Sequence, residues 1–115
     1  MNSSLQTAYL SELFAARQAN LSGDTELAFN HLVRAHILGQ RFTLQHVHVH
    51  WLMLRLGVRV GDIREVVGQL SRMVGAALFS RIWVPSGNTG RANVSAFSSM
   101  PIPDDLRIVL EHRDA

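Results

Sequence analysis

Apolar residues recur at helical spacing from the start of the chain. Leu5, Tyr9, Leu13, Ala16 and then Ala19/Asn20 fall on one stripe of a helix that Ser3 or Ser4 is placed to cap and that runs to about Leu21. Gly23-Asp24 breaks it. A second helix is predicted over 25–39, with Ala28, Leu32, Ala35 and Gly39 in one stripe. Three of those four residues are small, which lets a neighbouring helix approach closely. Gly39-Gln40-Arg41-Phe42 is a short connection. Thr43 is placed to cap a third helix that ends near Gly57. Asp62, with Glu65 three residues on, has the form of a capping box with Asp in place of Ser/Thr. It opens a fourth helix whose apolar face, Ile63, Val66, Val67, Leu70, Met73, Val74, Ala77 and Leu78, continues to about Ile82.

The pattern changes at Val84. VPSGNTGRANVSAFSSMPIP is rich in Gly and Pro and has no helical period, so it reads as an irregular tail. Val94, Phe97, Met100 and Ile102 are available to dock that tail on the helices. Asp104 can cap a short last helix over 105–112. The predicted fold is all-α: a small four-helix bundle of two helical hairpins. One domain is expected over 1–115, with the bundle at 1–83, a docked tail at 84–103 and a short helix at 104–112. Ala16, Gly23-Asp24, Ala28, Leu32 and Ala35 also resemble the small-residue skeleton of a tetratricopeptide-type helical pair. One such unit cannot make a solenoid, so the likeness concerns how two helices pack. It supports an alternative reading, a non-catalytic protein-interaction module.

Composition narrows the function classes. A chain of 115 residues with 47% hydrophobic content can build a modest core. Its basic residues are all Arg, spread along the chain, and the net charge is only +2, so no basic stripe for nucleic acid is visible. The absence of Cys removes disulfides, thiolate metal sites and thiol catalysis. The N-terminus lacks a basic n-region and Glu12 interrupts its apolar stretch. The longest apolar run, around 47–56, is too short and too polar to span a bilayer. A cytoplasmic protein with neither a nucleic-acid nor a membrane partner is expected. No nucleophile–base arrangement can be read, which leans away from an enzyme.

The candidate chemistry lies in residues 43–54, TLQHVHVHWLML. Alternation in HVHVH suggests a strand with His46, His48 and His50 on one face. The longer helical period and the helix signals at both ends favour a helix instead. On a helix His46 and His50 are about 40° apart and share a face, while His48 is about 160° away. Met53 continues the pair's stripe. The short connection makes the second and third helices antiparallel neighbours, which puts His36 level with His46. His36, His46 and His50 can therefore converge between two helices. His31, about 140° from His36 around its helix, is the weaker candidate.

Three imidazoles leave a tetrahedral site one ligand short. Glu26, Asp62, Glu65 and water are the candidates for the fourth, with Glu65 the preferred residue. Glu65, Gln69 and Arg72 form a polar stripe on the fourth helix. An inward stripe would let Glu65 ligate the metal or orient a ligand histidine, but the stripe reads first as a solvated surface row. All-nitrogen ligation suits a transition metal ion, zinc or copper foremost, then nickel or cobalt. Met53 keeps Cu⁺ open, and haem with a histidine axial ligand ranks behind these. The plain alternative is that the histidines only hydrogen-bond within a helix interface. A metal-dependent enzyme ranks third and would need Glu65 or Glu26 as its base.

SGNTGRAN, at 86–93, looks like a phosphate-cradling loop but lacks the GK[ST] ending and a preceding strand. It reads as a structural turn that can also cover a site. Gly68 and Gly75 suit close helix packing and a homodimer seam. Taken together, RAHILGQRF, the His46/His50 pair, PSGNTGRA and MPIP resemble a bacterial family of short helical proteins that form a domain of unknown function, over roughly residues 26–106. The resemblance implies an all-helical protein and supplies no catalytic residue. His36, His46, His50 and the GNTG loop fall within its matching segments. The leading expectation is a small metal-binding protein in metal handling or sensing.

Overall fold

Asn2, one residue before the serines, starts the first helix. Its Oδ1 accepts from the backbone N–H of Leu5 at 2.8 Å, so Ser3 and Ser4 become the first helical residues of α1 (Ser3–Leu21). The protein is described here from a computed structural model, which describes residues 1–79 and 83–112. Asp24 caps α2 (Thr25–Gly39) by accepting from the Leu27 N–H at 3.1 Å. α3 (Thr43–Val60) begins one residue earlier than expected, with Phe42 at the cap position and no side-chain cap bond. It also runs past Gly57. The left-handed residue that ends it is Gly61, at φ 75°. Gly57 lies inside the helix, where a Cβ would come within 3.2 Å of Glu65 Cβ, so its role is close packing.

Half of the predicted capping box forms. Asp62 Oδ1 accepts from Glu65 N–H at 3.1 Å at the start of α4 (Ile63–Phe79). The Glu65 side chain does not return to the cap, because it is turned into the protein. The predicted continuation of α4 to Ile82 lies outside the described residues. α5 (Asp104–Glu111) follows Pro103, which takes the cap position predicted for Asp104.

These five helices, with no strand among the described residues, form two hairpins: α1 packs on α2 and α3 on α4, and α2 meets α3 between them. The core lies mainly in the first hairpin and the inner face of α3. Tyr9, Phe29, Leu32, Leu38, Val49 and Met53 are buried in one cluster, which Leu106 of α5 closes. Ile102 docks on it as expected. Phe97 does not; it is 77% exposed and stacks beside Trp83 with ring centroids 6.5 Å apart. Glu12 ties the first hairpin together by accepting from His31 Nδ1 at 2.7 Å and Arg34 Nε at 2.8 Å, and Arg34 also pairs with Asp105 of α5.

α4 is packed the other way round from its sequence pattern. Ile63, Val67, Leu70, Val74 and Leu78 of the expected buried face are all exposed, from 52% at Leu70 to 77% at Ile63. The buried residues of α4 are Glu65, Gln69 and Ala76. The polar row expected at the surface therefore faces inward. Apolar periodicity identifies a face of a helix but not what covers it. In this chain buried histidines and a polar loop take up the α4 polar face.

Candidate metal centre

The helix assignment divides HVHVH as its geometry requires. His46 and His50 are buried on the α2-facing side of α3 and His48 is exposed. His36 comes from α2 to meet the pair. The three rings are mutually close, with centroids 4.8–4.9 Å apart. One potential ligand atom from each lies within 4.8 Å of the others. His31 is directed at Glu12 and takes no part.

Neighbouring groups decide which nitrogens face the cluster. His36 Nδ1 lies 2.8 Å from the carbonyl oxygen of Asn88, which can only accept, so Nδ1 carries the proton and Nε2 presents a lone pair. His50 Nδ1 lies 2.5 Å from Gln69 Oε1. The orientation of that amide is fixed independently. Gln69 Nε2 donates to Glu65 Oε2 at 2.6 Å and to the Gly90 carbonyl at 2.8 Å, both pure acceptors. His50 is therefore also protonated at Nδ1 and free at Nε2. His46 Nε2 sits 3.1 Å from His36 Nε2, and His46 Nδ1 is buried with no partner.

That 3.1 Å separation is informative. Two nitrogens bound to one tetrahedral ion at about 2.05 Å would lie roughly 3.3 Å apart. The Nε2 atoms of His36 and His46 are thus close to the spacing of two ligands on one ion, and the potential ligand atoms of all three imidazoles lie within 4.8 Å of one another. They are also neutral. Burial, reinforced by His50 and His46, holds His36 well below the usual imidazole range. Burial and then His50 push His46 down to about 3. Burial brings His50 down to about 4, with Arg72 adding to the shift and the Gln69 bond opposing it. Neutral imidazole is the form that ligates a metal.

Glu65 stands behind this cluster. Its Oε1 pairs with the Arg91 guanidinium and accepts from the Ala92 N–H at 3.3 Å, while Oε2 takes the Gln69 amide. Of its two expected roles, the geometry provides orientation: Glu65 fixes Gln69, and Gln69 fixes His50. Glu26 is exposed, and Asp62 is occupied as the α4 cap. Met53 is buried, with its sulfur 3.3 Å from Gln69 Nε2.

The SGNTGRAN loop forms the far wall of the site. Asn88 is buried and its Nδ2 donates to the carbonyls of Ser95 and Ser98, both at 2.7 Å. These bonds hold the Asn88 carbonyl on His36. Gly90, at φ 78°, lies flat against the His36 ring, and a Cβ there would come within 2.6 Å of His36 Cδ2. Arg91 stacks over the Phe29 ring at 3.8 Å, anchoring the loop to α2. Asn88, Gly90 and Gln69 are the supporting residues that the sequence did not single out as such. The Gly-Asn-Thr-Gly spacing is the local signal for Asn88 and Gly90, and the polar stripe of α4 is the signal for Gln69. Gly68, read as seam material, is occupied by this loop: a Cβ would sit 2.5 Å from Ala92 Cβ. Gly75 is open.

The triad is accessible from one side. His36, His46 and His50 line a cleft of about 530 Å³ together with Arg72, Ala76, Phe79, Trp83, Val84 and Phe97 among others. No helix is long and apolar enough to cross a membrane among the described residues.

No curated protein and no solved structure matches the chain. A family model described as "Protein of unknown function (DUF3703)" matches residues 3–110, which take in α1 to α4, all but the last residue of α5, the three histidines and the loop that supports them. The chain therefore belongs to the DUF3703 family.

Proposed function

We propose that this is a small metal-binding helical protein in which His36, His46 and His50 hold one transition metal ion, in the service of metal handling or sensing. The observation that carries the reading is the convergence of lone pairs. The Nδ1 atoms of His36 and His50 are committed to fixed acceptors, which leaves both Nε2 atoms with a lone pair, that of His36 at 3.1 Å from His46 Nε2. A purely structural histidine cluster has no need to bury three imidazoles together. Zinc is the preferred ion, since three neutral imidazoles suit it. Rings only 4.8–4.9 Å apart favour a single ion over a haem between them. Metal content of purified untagged protein after incubation with Zn²⁺ and Cu²⁺ tests this. Near-stoichiometric metal in the wild type and its loss in His46→Ala/His50→Ala is expected. Equal, near-zero metal in both would overturn the reading.

A second reading has its own observation. The exposed stripe Ile63, Val67, Leu70, Val74 and Leu78 suits a protein-interaction surface or a homodimer. Sedimentation across a concentration series tests it, and a monomer at every concentration removes the homodimer.

A further inference from the structure

If the triad holds a divalent ion, its surroundings restrict what can occupy the remaining coordination position. Three imidazoles leave a tetrahedral ion one position short, and no fourth carboxylate or histidine joins the cluster among the described residues. The triad lines the cleft, so the remaining position has access to it.

The electrostatics of that cleft are one-sided. Neutral imidazoles leave the ion's two positive charges uncompensated. Arg72 lines the same cleft, with its Nη2 on the Val94 carbonyl and its Nε buried without a hydrogen-bond partner. No acidic residue is among the described residues lining the cleft. The nearest carboxylate in the network, Glu65, is already neutralised by Arg91. A divalent ion and a guanidinium in a partly desolvated space call for an anion. The rest of the cleft is apolar, with Ala76, Phe79, Trp83, Val84 and Phe97 on its walls. Those walls offer little to a fully hydrated oxyanion such as sulfate but can bury a hydrocarbon body.

We propose that the metal-loaded site binds a small apolar carboxylic acid as its anion, the carboxylate taking the remaining coordination position beside Arg72 and the hydrocarbon part lying in the cleft against Phe79, Trp83 and Phe97. The proposal rests on the metal reading above. It assigns a substrate or ligand class to the centre: aromatic or short aliphatic monocarboxylates.

The probe is benzoate, titrated calorimetrically into zinc-loaded protein whose zinc content is measured in the same samples. Benzoate is expected to bind at least about tenfold more tightly than its neutral isostere benzamide, and about tenfold more tightly than acetate, which lacks the apolar body. Removing the zinc with a chelator, or replacing Arg72 in R72M, should each weaken benzoate by about tenfold or more. R72K, which keeps the charge, should retain part of the affinity. Should R72M fail to fold, the benzamide, acetate and zinc-removal comparisons decide alone. Benzoate binding that matches benzamide, survives zinc removal unchanged or is indifferent to R72M overturns the carboxylate assignment while leaving the metal reading intact. A wild-type protein that takes up no zinc overturns both.

Discussion

The two hairpins solve the burial problem in opposite ways. In α1–α2 the buried face is apolar apart from His36: Leu5, Tyr9, Phe29, Leu32 and Leu38 lie inside, and the bonds of Glu12 to His31 and Arg34 lie nearer the surface. In α3–α4 the seam buries His46, His50, Glu65 and Gln69, and α4 leaves its apolar stripe outside. Burying polar groups is unfavourable unless each finds a partner, and a connected network running from Arg91 through Glu65 and Gln69 to His50 supplies most of them, with His46 Nδ1 and Arg72 Nε left over. The first hairpin therefore holds the fold together. The second uses that stability, together with His36 from α2, to bring three buried imidazoles side by side.

Truncation should separate these roles most sharply. Leu38→Ala, at a position only 1% exposed in α2, should lower unfolding free energy by about 2–5 kcal/mol in urea denaturation. Its effect on metal affinity should follow only from unfolding. A loss below about 1 kcal/mol would mean that the first hairpin is not the structural half.

Gly90→Ala comes next. A side chain at φ 78° is strained, and its Cβ would strike the His36 ring. A stability loss of about 1–3 kcal/mol is expected, together with loss of metal uptake, because His36 must turn. Unimpaired metal binding in this variant would show that the loop does not position His36.

Gln69→Leu tests the network without touching a proposed ligand. It removes the acceptor that fixes the His50 tautomer and strands Glu65 Oε2. Metal affinity should fall about 10–100-fold, read by competition with a chromophoric chelator, while the helical circular-dichroism signal persists. Unchanged affinity would remove Gln69 from the site.

Acid should weaken the metal-free protein through the same histidines. His36, His46 and His50 all titrate lower in the folded protein than the ordinary imidazole value of 6.5, with His46 near 3 and His50 near 4. The unfolded chain therefore binds more protons between those limits. Their contribution to stability is complete above pH 6.5 and is lost progressively as pH falls towards 4 and then 3. Melting temperatures from pH 7.5 to 4 should show that decline, and His36→Phe should flatten it. A melting temperature that is level, or rises, on acidification would contradict the burial of neutral imidazoles.

The smallest effect belongs to the outer face of α4. Leu70→Ser and Val74→Ser, at positions 52% and 61% exposed, should change monomer stability by no more than about 0.5 kcal/mol. A larger loss would mean that this face is covered.

Much of this arrangement is legible in the sequence. The five helices follow from spacing and caps, and His36 meets His46 and His50 because a short connection and a 3.6-residue period leave few alternatives. What escaped was set by contacts far apart in sequence. No local rule says that Gln69 reaches His50, or that the Asn88 carbonyl reaches His36 across fifty-two positions. The face of α4 was misjudged for the same reason. Its apolar stripe is real, but whether a helix turns that stripe inward depends on what the rest of the chain presents to it. In this chain the neighbours are polar. The Gly57 and Thr43 boundaries slipped because Gly61 was available as the left-handed residue and Phe42 could take the cap position without a side-chain bond.

The central claim is that three imidazole nitrogens, and not a chance surface group, hold the ion. X-ray absorption at the zinc edge of the loaded protein tests it most directly. The account predicts a four-coordinate shell of nitrogen and oxygen at about 2.0–2.1 Å, with the outer-shell scattering of three imidazoles and no sulfur. A six-coordinate oxygen shell, or a sulfur scatterer at about 2.3 Å, would contradict it.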